Sequence, residues 1–377
     1  MMISYPGLSK MKTTSFVYQD VFPASDLGTL EELKELSSKR KAIEDSVNGS
    51  SVTEAIAREM SGGLTSRHEQ DIRKLEQYLP LLENLCQNID LNKKNGKVIP
   101  WTSGRKIKWS SVLTASSIFH FEGPKFYSIF CVFSEHAMTL FLYAALLHER
   151  ALEVLSSDLV QSATLFRKAA GVYNYLAEKA LVRLHWPLGM PPEAVPSVCN
   201  IMSLICLAQA QAVTARKAEE NGNTGGLLAK LHSGVKEFLV EAINILQSAT
   251  KCCKSISSRL QDFLLSSNTL HELMSYKYLV QSLKNEGKIG IAIGVLRLAL
   301  ANAKKYTPKE ESWKLVSKQM IDELKVLLQK YEHENDFVWH EKIAYSDDDL
   351  PSPQAVRIVH LIPYQRHNLE RTLVFKC

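Results

Sequence analysis

Apolar residues return every three or four positions over most of this chain, the periodicity of helices that bury one face. The stretch "SRHEQDIRKLEQYLPLLENLCQNI" places Ile72, Leu75, Tyr78, Leu79, Leu82 and Leu85 along one side. A charged helix is predicted before it, from about Leu27 to Asp45, and a shorter run from Val52 to Met60 is broken by Gly62 and Gly63. After the polar stretch "DLNKKNGKVIPWTSGRKIKW", helices are predicted over Phe130–Leu155, Leu159–Leu184, Val195–Glu220, Gly226–Lys251, Ile256–Glu286, Lys288–Lys305 and Glu311–Glu334. Near the N-terminus, "TTSFVYQDVF" reads as a short strand.

Two stretches carry the mark of stacked helical hairpins. In "LVQSATLFRKAAGVYNYLAEKA", Ala163, Phe166, Ala170, Tyr173 and Ala177 share a face. "LKNEGKIGIAIGVLRLALANA" turns at Gly287 and then aligns Ala292, Leu296 and Ala299. Small residues alternating with large ones let helices approach closely, as in tetratricopeptide arrays, although no strict period of about 34 residues repeats. The pattern therefore predicts an all-α chain with a few short strands near its start.

Composition narrows the class. Of 377 residues, 45% are apolar and 23% charged, enough to bury a sizeable core. A net charge of +5 is too small for this length to indicate nucleic-acid binding. The seven cysteines form no CxxC pair, and several sit in apolar helical segments, which suggests reduced thiols and a reducing compartment. The first residues lack an apolar signal core, and no run is expected to cross a membrane. A soluble, intracellular protein is expected.

Candidate chemistry is sparse. "GKIGIAIG" follows a polar helix and not a strand, so it is a poor phosphate loop. His136 and His148 share a predicted helix but lie more than three turns apart, too far to hold one metal together, and read as core or groove histidines. In "YEHENDFVWHEKI", His333 and His340 straddle a helix end. There Phe337, Val338 and Trp339 are expected to insert into the core, with Trp339 under the C-terminal tail, while Asp336 and His340 bond free backbone groups. Lys93, Lys94, Lys97, Arg105, Lys106 and Lys108 form a basic cluster that reads first as a solvated loop and second as an anionic-membrane contact.

The run from Asn335 to Ile343 resembles the closing signature of the Bro domain family, the Bro-one and Alix-type scaffolds of endosomal sorting, with Trp339 where many relatives carry tyrosine. "IMSLICLAQAQAV", Ile201 to Val213, is similar to the family helix bearing "LAQAQ", and "LLAKL", Leu227 to Leu231, follows at the family's distance. "FRKAAGVYNYL" and "IKWSSVL" fit weaker positions, and in detail the chain looks closest to plant Bro-like proteins that lack further domains. The resemblance implies an elongated, boomerang-shaped helical solenoid with tetratricopeptide-like hairpins. It also implies a single domain over residues 1–377: a flexible start (1–13), a helical core (14–345) and an extended tail (346–377) packing back on it.

Function follows from the same resemblance. It implies a non-enzymatic adaptor of the multivesicular-body pathway that needs no cofactor and takes no small-molecule substrate. The partner is an amphipathic C-terminal helix of an ESCRT-III subunit held in a concave groove, with peripheral attachment to endosomes from the cytoplasm. Leu227 and Leu231 match the family's aliphatic groove positions, flanked by Lys217 and Lys230; core burial of these leucines is the other reading. Thr214 stands where relatives tend to carry an aromatic residue, and Ser156 and Val160 where they carry Asp and Lys, which implies an altered partner or weaker binding. A tetratricopeptide-like scaffold with a different peptide partner is the alternative.

Overall fold

In a computed structural model of the protein, the structure describes residues 2–49, 66–94, 106–114, 124–129, 131–182, 184, 189–252, 256–344 and 350–376, apart from the side chains of 250–252. Nine α-helices lie among them: α1 (Leu27–Asn48), α2 (Arg67–Lys94), α3 (Val132–Val154), α4 (Leu159–Tyr175), α5 (Pro196–Glu220), α6 (Gly225–Cys252), α7 (Ser258–Asn285), α8 (Ile289–Ala303) and α9 (Glu311–Glu334). More than half of the chain is helical, as the periodicity predicts. Two strands, β1 (Ile107–Ser110) and β2 (Phe126–Ile129), form one antiparallel pair in which Ile107 faces Ile129 and Ser110 faces Phe126.

Local chemistry sets the helix ends. Asp26 caps α1 by accepting the Thr29 amide at 2.7 Å, and Ser257 accepts the Arg259 amide at the start of α7. Between α7 and α8 the chain reverses at Gly287, whose φ of 76° is open to glycine at little cost. Ala292, Leu296 and Ala299 beyond it are fully buried, and α6 to α9 pack in consecutive pairs. Helix α4 continues into a single π-turn, Leu176–Ala180. Helix α5 is long and apolar enough to cross a membrane, a run the sequence reading did not expect; 89% of its apolar window is buried inside the fold, as befits a core helix.

The chain forms two compact units, each assembled from separated segments. One comprises Met1–Tyr5, Ala151–Ala170 and Ile201–Leu361; the other comprises Pro6–Arg150, Gly171–Asn200 and Ile362–Cys377. The start of the chain, expected to be flexible, is packed. Tyr5 stands edge-on to Phe263 in the first unit. In the second, Leu8 and Met11 are fully buried, and Glu149 accepts the amides of Gly7 and Leu8.

"TTSFVYQDVF" is not a strand. Thr13 makes one isolated bridge to Trp109, and Tyr18–Asp20 form a 3-10 turn. The turn allows Tyr18, Val21 and Phe22 to be buried together, which strand alternation would forbid, and the Tyr18 amide donates to Ser37 Oγ in place of a strand partner.

Buried polar groups hold the second unit. Arg40 Nε meets Glu135 Oε1 at 3.0 Å, Trp109 Nε1 donates to Glu135 Oε2 at 2.6 Å, and the hydroxyls of Tyr18 and Tyr78 lie 2.6 Å apart beside them. Burial, and then the Glu135 charge, push the Tyr18 hydroxyl well above its ordinary pKa. His136, expected in a core or groove, is buried with Nε2 3.1 Å from Glu83 Oε1; Glu83 also accepts from the Tyr364 hydroxyl and the His367 amide. Burial raises the Glu83 pKa, but these bonds outweigh it and hold the carboxyl below its usual range. His148 is buried as well, and Cys86, Cys131, Cys199 and Cys206 are free thiols.

The helix-exit motif is built differently from the expectation. Phe337, Val338 and Trp339 are 72%, 68% and 46% exposed, and the side chains of Asp336 and His340 also face solvent. Within the turn Asn335–Trp339, Asn335 is the buried residue. Its side chain donates to the Glu341 carbonyl and accepts the Glu341 amide, each at 3.0 Å, across a π-turn that ends with His340 in the left-handed region at φ 51°. A polar clamp therefore ends the helix, because one amide satisfies both backbone groups that an apolar plug would leave open.

Two stability experiments follow. Glu135→Gln removes the nearer of the two carboxylates beside buried Arg40, leaving Glu44 at 3.8 Å, and should destabilise the protein by about 2 kcal/mol in chemical denaturation. In the first unit, His232 and His271 are buried with their Nδ1 atoms 3.2 Å apart. Burial lowers His232 to about 3 and takes His271 well below its ordinary value. Both are neutral in the fold, whereas the unfolded chain titrates near pH 6.5, so unfolding takes up protons between about pH 3 and about pH 6.5. Stability should fall on acidification through that window, and a His232→Gln/His271→Gln protein should show a shallower fall of melting temperature with pH.

Candidate partner groove

The turn from α3 to α4 is fixed by Asp158, whose Oδ1 accepts the amides of Val160 and Gln161 at 2.9 Å each, and by Ser162 Oγ, which donates to the Ala151 carbonyl. Ser156 is exposed in this turn. Starting from the cap, α4 presents Leu159, Val160, Ala163, Thr164 and Arg167 at helical spacing to a cavity of about 300 Å³. Helix α5 supplies Val213 and Thr214 and, one turn on, Lys217, and the C-terminal tail supplies Ile358 and Val359. All of these residues belong to the first unit.

The walls are mostly apolar, and Val160 is 65% exposed. Among the described residues, Arg167 and Lys217 are the charged ones that line the cavity, and no carboxylate does. Neither cation forms an ion pair among the described residues; Arg167 Nε donates to the His360 carbonyl at 2.7 Å. Thr214 Oγ1 donates back to the Ala210 carbonyl at 2.9 Å, so its hydroxyl is satisfied within its own helix. An apolar cleft edged by two cations suits a helix carrying aliphatic or aromatic anchors and nearby acids.

Of the residues singled out from the sequence, the structure brings Val160, Thr214 and Lys217 together and places Ser156 just before them. Leu231 is elsewhere. It is 2% exposed, and its carbonyl accepts from Gln211 Nε2, so it is a core residue and not a groove anchor. Leu227 is 39% exposed on α6 but does not line this cavity, and neither does the exposed Lys230. Leu227 and Leu231 sit at i and i+4, yet α6 turns the second inward because that face packs on its neighbours.

Arg167, Ile358 and Val359 were not anticipated. Arg167 carried no signal beyond its helical position, and the tail residues follow no period that could place them. Lys93 and Lys94 are exposed in the last turn of α2, and Lys106 and Lys108 are exposed at β1; Lys97 and Arg105, like the run Val52–Met60, lie outside the described residues. Among the described residues no group of three His, Cys, Asp or Glu side chains could hold a metal ion.

Against known proteins, a family model for the BRO1-like domain matches residues 36–375. The chain belongs to this family. BRO1 domain-containing protein BROX of Xenopus tropicalis is 22% identical over 338 residues, which is 83% of this chain and 78% of that protein. The solved ALIX BRO1–CHMP4C complex superposes with a TM-score of 0.69 at 20% identity and 94% coverage of both chains. A structure described as the basis for endosomal targeting by the Bro1 domain gives 0.66 at 15% identity, covering 94% of this chain and 91% of that one. These likenesses show that the BRO1 fold persists at low sequence identity.

The different burial of the two leucines is directly testable. Leu231→Asp places an unpaired carboxylate in the core and should cost about 3 kcal/mol or more, whereas Leu227→Asp should leave the melting temperature nearly unchanged. Equal melting temperatures for the two variants would contradict the placement.

Proposed function

We propose that this chain is a non-enzymatic adaptor of endosomal sorting, and that the cleft between α4, α5 and the tail receives the amphipathic C-terminal helix of an ESCRT-III subunit. The observation that carries the reading is the cleft itself, with walls of Leu159, Val160, Ala163 and Val213 and a rim of Arg167 and Lys217 that holds no carboxylate among the described residues. Apolar anchors a turn apart supply affinity in such grooves, and acids on the incoming helix meet the two cations. Family membership supports the reading, as does the complex that the ALIX BRO1 domain forms with CHMP4C. Attachment at the cytoplasmic face of endosomes belongs to the same reading, with Lys93, Lys94, Lys97, Arg105, Lys106 and Lys108 as the candidate anionic-membrane contact.

A scaffold role also fits the state of three buried acids. Glu135, Glu83 and Asp262 are engaged by internal donors: Arg40 and Trp109; His136, Tyr364 and the His367 amide; and the amides of Lys309 and Glu310. Acids satisfied in this way support the fold, whereas a general acid or base needs access to a substrate.

A second reading, a helix from a different partner, draws on Val160 and Thr214. An exposed valine and a small threonine leave the cleft open and apolar, which suits a bulkier anchor. Calorimetric titration with a panel of ESCRT-III C-terminal helices tests both readings. At least one should bind, more weakly as salt rises, with Lys217→Glu costing about tenfold and Thr214→Arg abolishing binding. Failure of every helix in the panel would contradict the adaptor reading as stated.

A further inference from the structure

Helix α5 borders a second cavity. Thr214 and Lys217 line the partner cleft, whereas Ala212, Arg216 and Glu219, on another side of the helix, line a separate cavity of about 240 Å³. Val213 lines both. The turn between α3 and α4 adds Leu155, α6 adds His232, α7 adds Met274, and the start of the chain adds Met2. All of these residues belong to the first unit. The walls are mostly apolar, and the two charged lining residues, Arg216 and Glu219, are exposed and opposite in sign.

His232 is the polar point of these walls. It is 3% exposed, its ring lies nearly parallel to that of Tyr278 with centroids 5.4 Å apart, and its Nδ1 is 3.2 Å from Nδ1 of His271. Among the described residues, His232 Nε2 makes no hydrogen bond. Burial keeps both imidazoles neutral, so each carries one N–H. The bond between the two Nδ1 atoms uses one of these protons: the ring that donates it has a bare Nε2, and the other ring carries Nε2–H. His232 Nε2 is therefore an acceptor or a donor, and a hydroxyl, which accepts and donates, matches either state.

Volume and polarity define the remainder of a ligand. An apolar cavity of about 150 Å³ holds benzene. The larger cavity here admits a single ring with a small substituent, and the thioethers of Met2 and Met274 favour an aromatic one. A charged group would lose its water and find only a neutral imidazole, while the opposite charges of Arg216 and Glu219 favour neither sign. We infer that this cavity is a binding site for a small, neutral, phenol-like molecule whose ring fills the apolar walls and whose hydroxyl bonds His232 Nε2. Such a molecule is a ligand, with no reaction implied. The site goes beyond the adaptor role proposed above, and its test needs no partner helix.

The probes are phenol and toluene, which share a ring and exchange a hydroxyl for a methyl, titrated into the full chain and followed by NMR. Phenol should bind saturably and move the His232 Nε2 nitrogen resonance several-fold further than toluene does at saturation. His232→Leu should weaken phenol by about tenfold or more and leave toluene within about twofold of the parent, because only phenol loses a hydrogen bond. Should His232→Leu fail to fold, the Nε2 comparison in the parent decides. The assignment fails if phenol does not bind saturably, if phenol and toluene move Nε2 alike, or if a folded His232→Leu protein binds phenol as the parent does. None of these results bears on the binding of an ESCRT-III helix, so the two readings stand or fall separately.

Discussion

Three stretches of chain meet at the side chain of Gln211. Fully buried on α5, its amide donates to the Leu231 carbonyl of α6 and the Val356 carbonyl of the tail, and it accepts the Ile358 amide. The approach is close enough that a Cβ at Gly234 would overlap both Gln211 Nε2 and the Val356 carbonyl, so only glycine fits there. Removing the amide would strand buried backbone groups, each at a cost of about 1–3 kcal/mol. Thr214 and Lys217 lie one and two turns further along α5, and Ile358 is bonded to the same side chain. The shape of the cleft therefore depends on this crossing, and the helical walls and the C-terminal tail keep their spacing because one residue spans them.

Much of the fold is legible in the sequence because helices write their burial as a period. Ile72, Leu75, Tyr78, Leu79, Leu82 and Leu85 are all buried on α2, and the turn at Gly287 is where the glycine and the change of pattern place it. What the period cannot express was misread. Tyr18, Val21 and Phe22 are apolar at close spacing because a 3-10 turn buries them together, and the residues alone resemble a strand. Phe337, Val338 and Trp339 read as a core plug because large apolar residues usually are one. Their exposure follows from the clamp at Asn335, a single polar residue whose two hydrogen bonds only the folded chain reveals.

The site divides along the same line. Thr214, Val160 and Lys217 could be proposed from the sequence because the family resemblance marks their positions, and they do share the cleft. Leu231 could not be separated from Leu227, since both sit on an apolar helix and their difference is a rotation set by tertiary packing. Ile358 and Val359 are invisible in principle. They are distant in sequence, aperiodic, and placed only by the ties to Gln211, Lys230 and Arg167.

Buried charges in the second unit are paired internally, whereas the cleft of the first unit is edged by two cations that pair with no acid among the described residues. The Arg40–Glu135 pair and the Glu83 cluster are closed networks in which every charge faces a partner. Arg167 and Lys217 face an apolar cleft whose described lining contains no acid. The most direct check on this picture is hydrogen–deuterium exchange of the full chain with and without a bound ESCRT-III C-terminal helix, read peptide by peptide. The account predicts added protection confined to residues 159–167, 213–217 and 356–360; protection that spares all three and appears along α6 near Leu227 or around Phe337–Trp339 would contradict it.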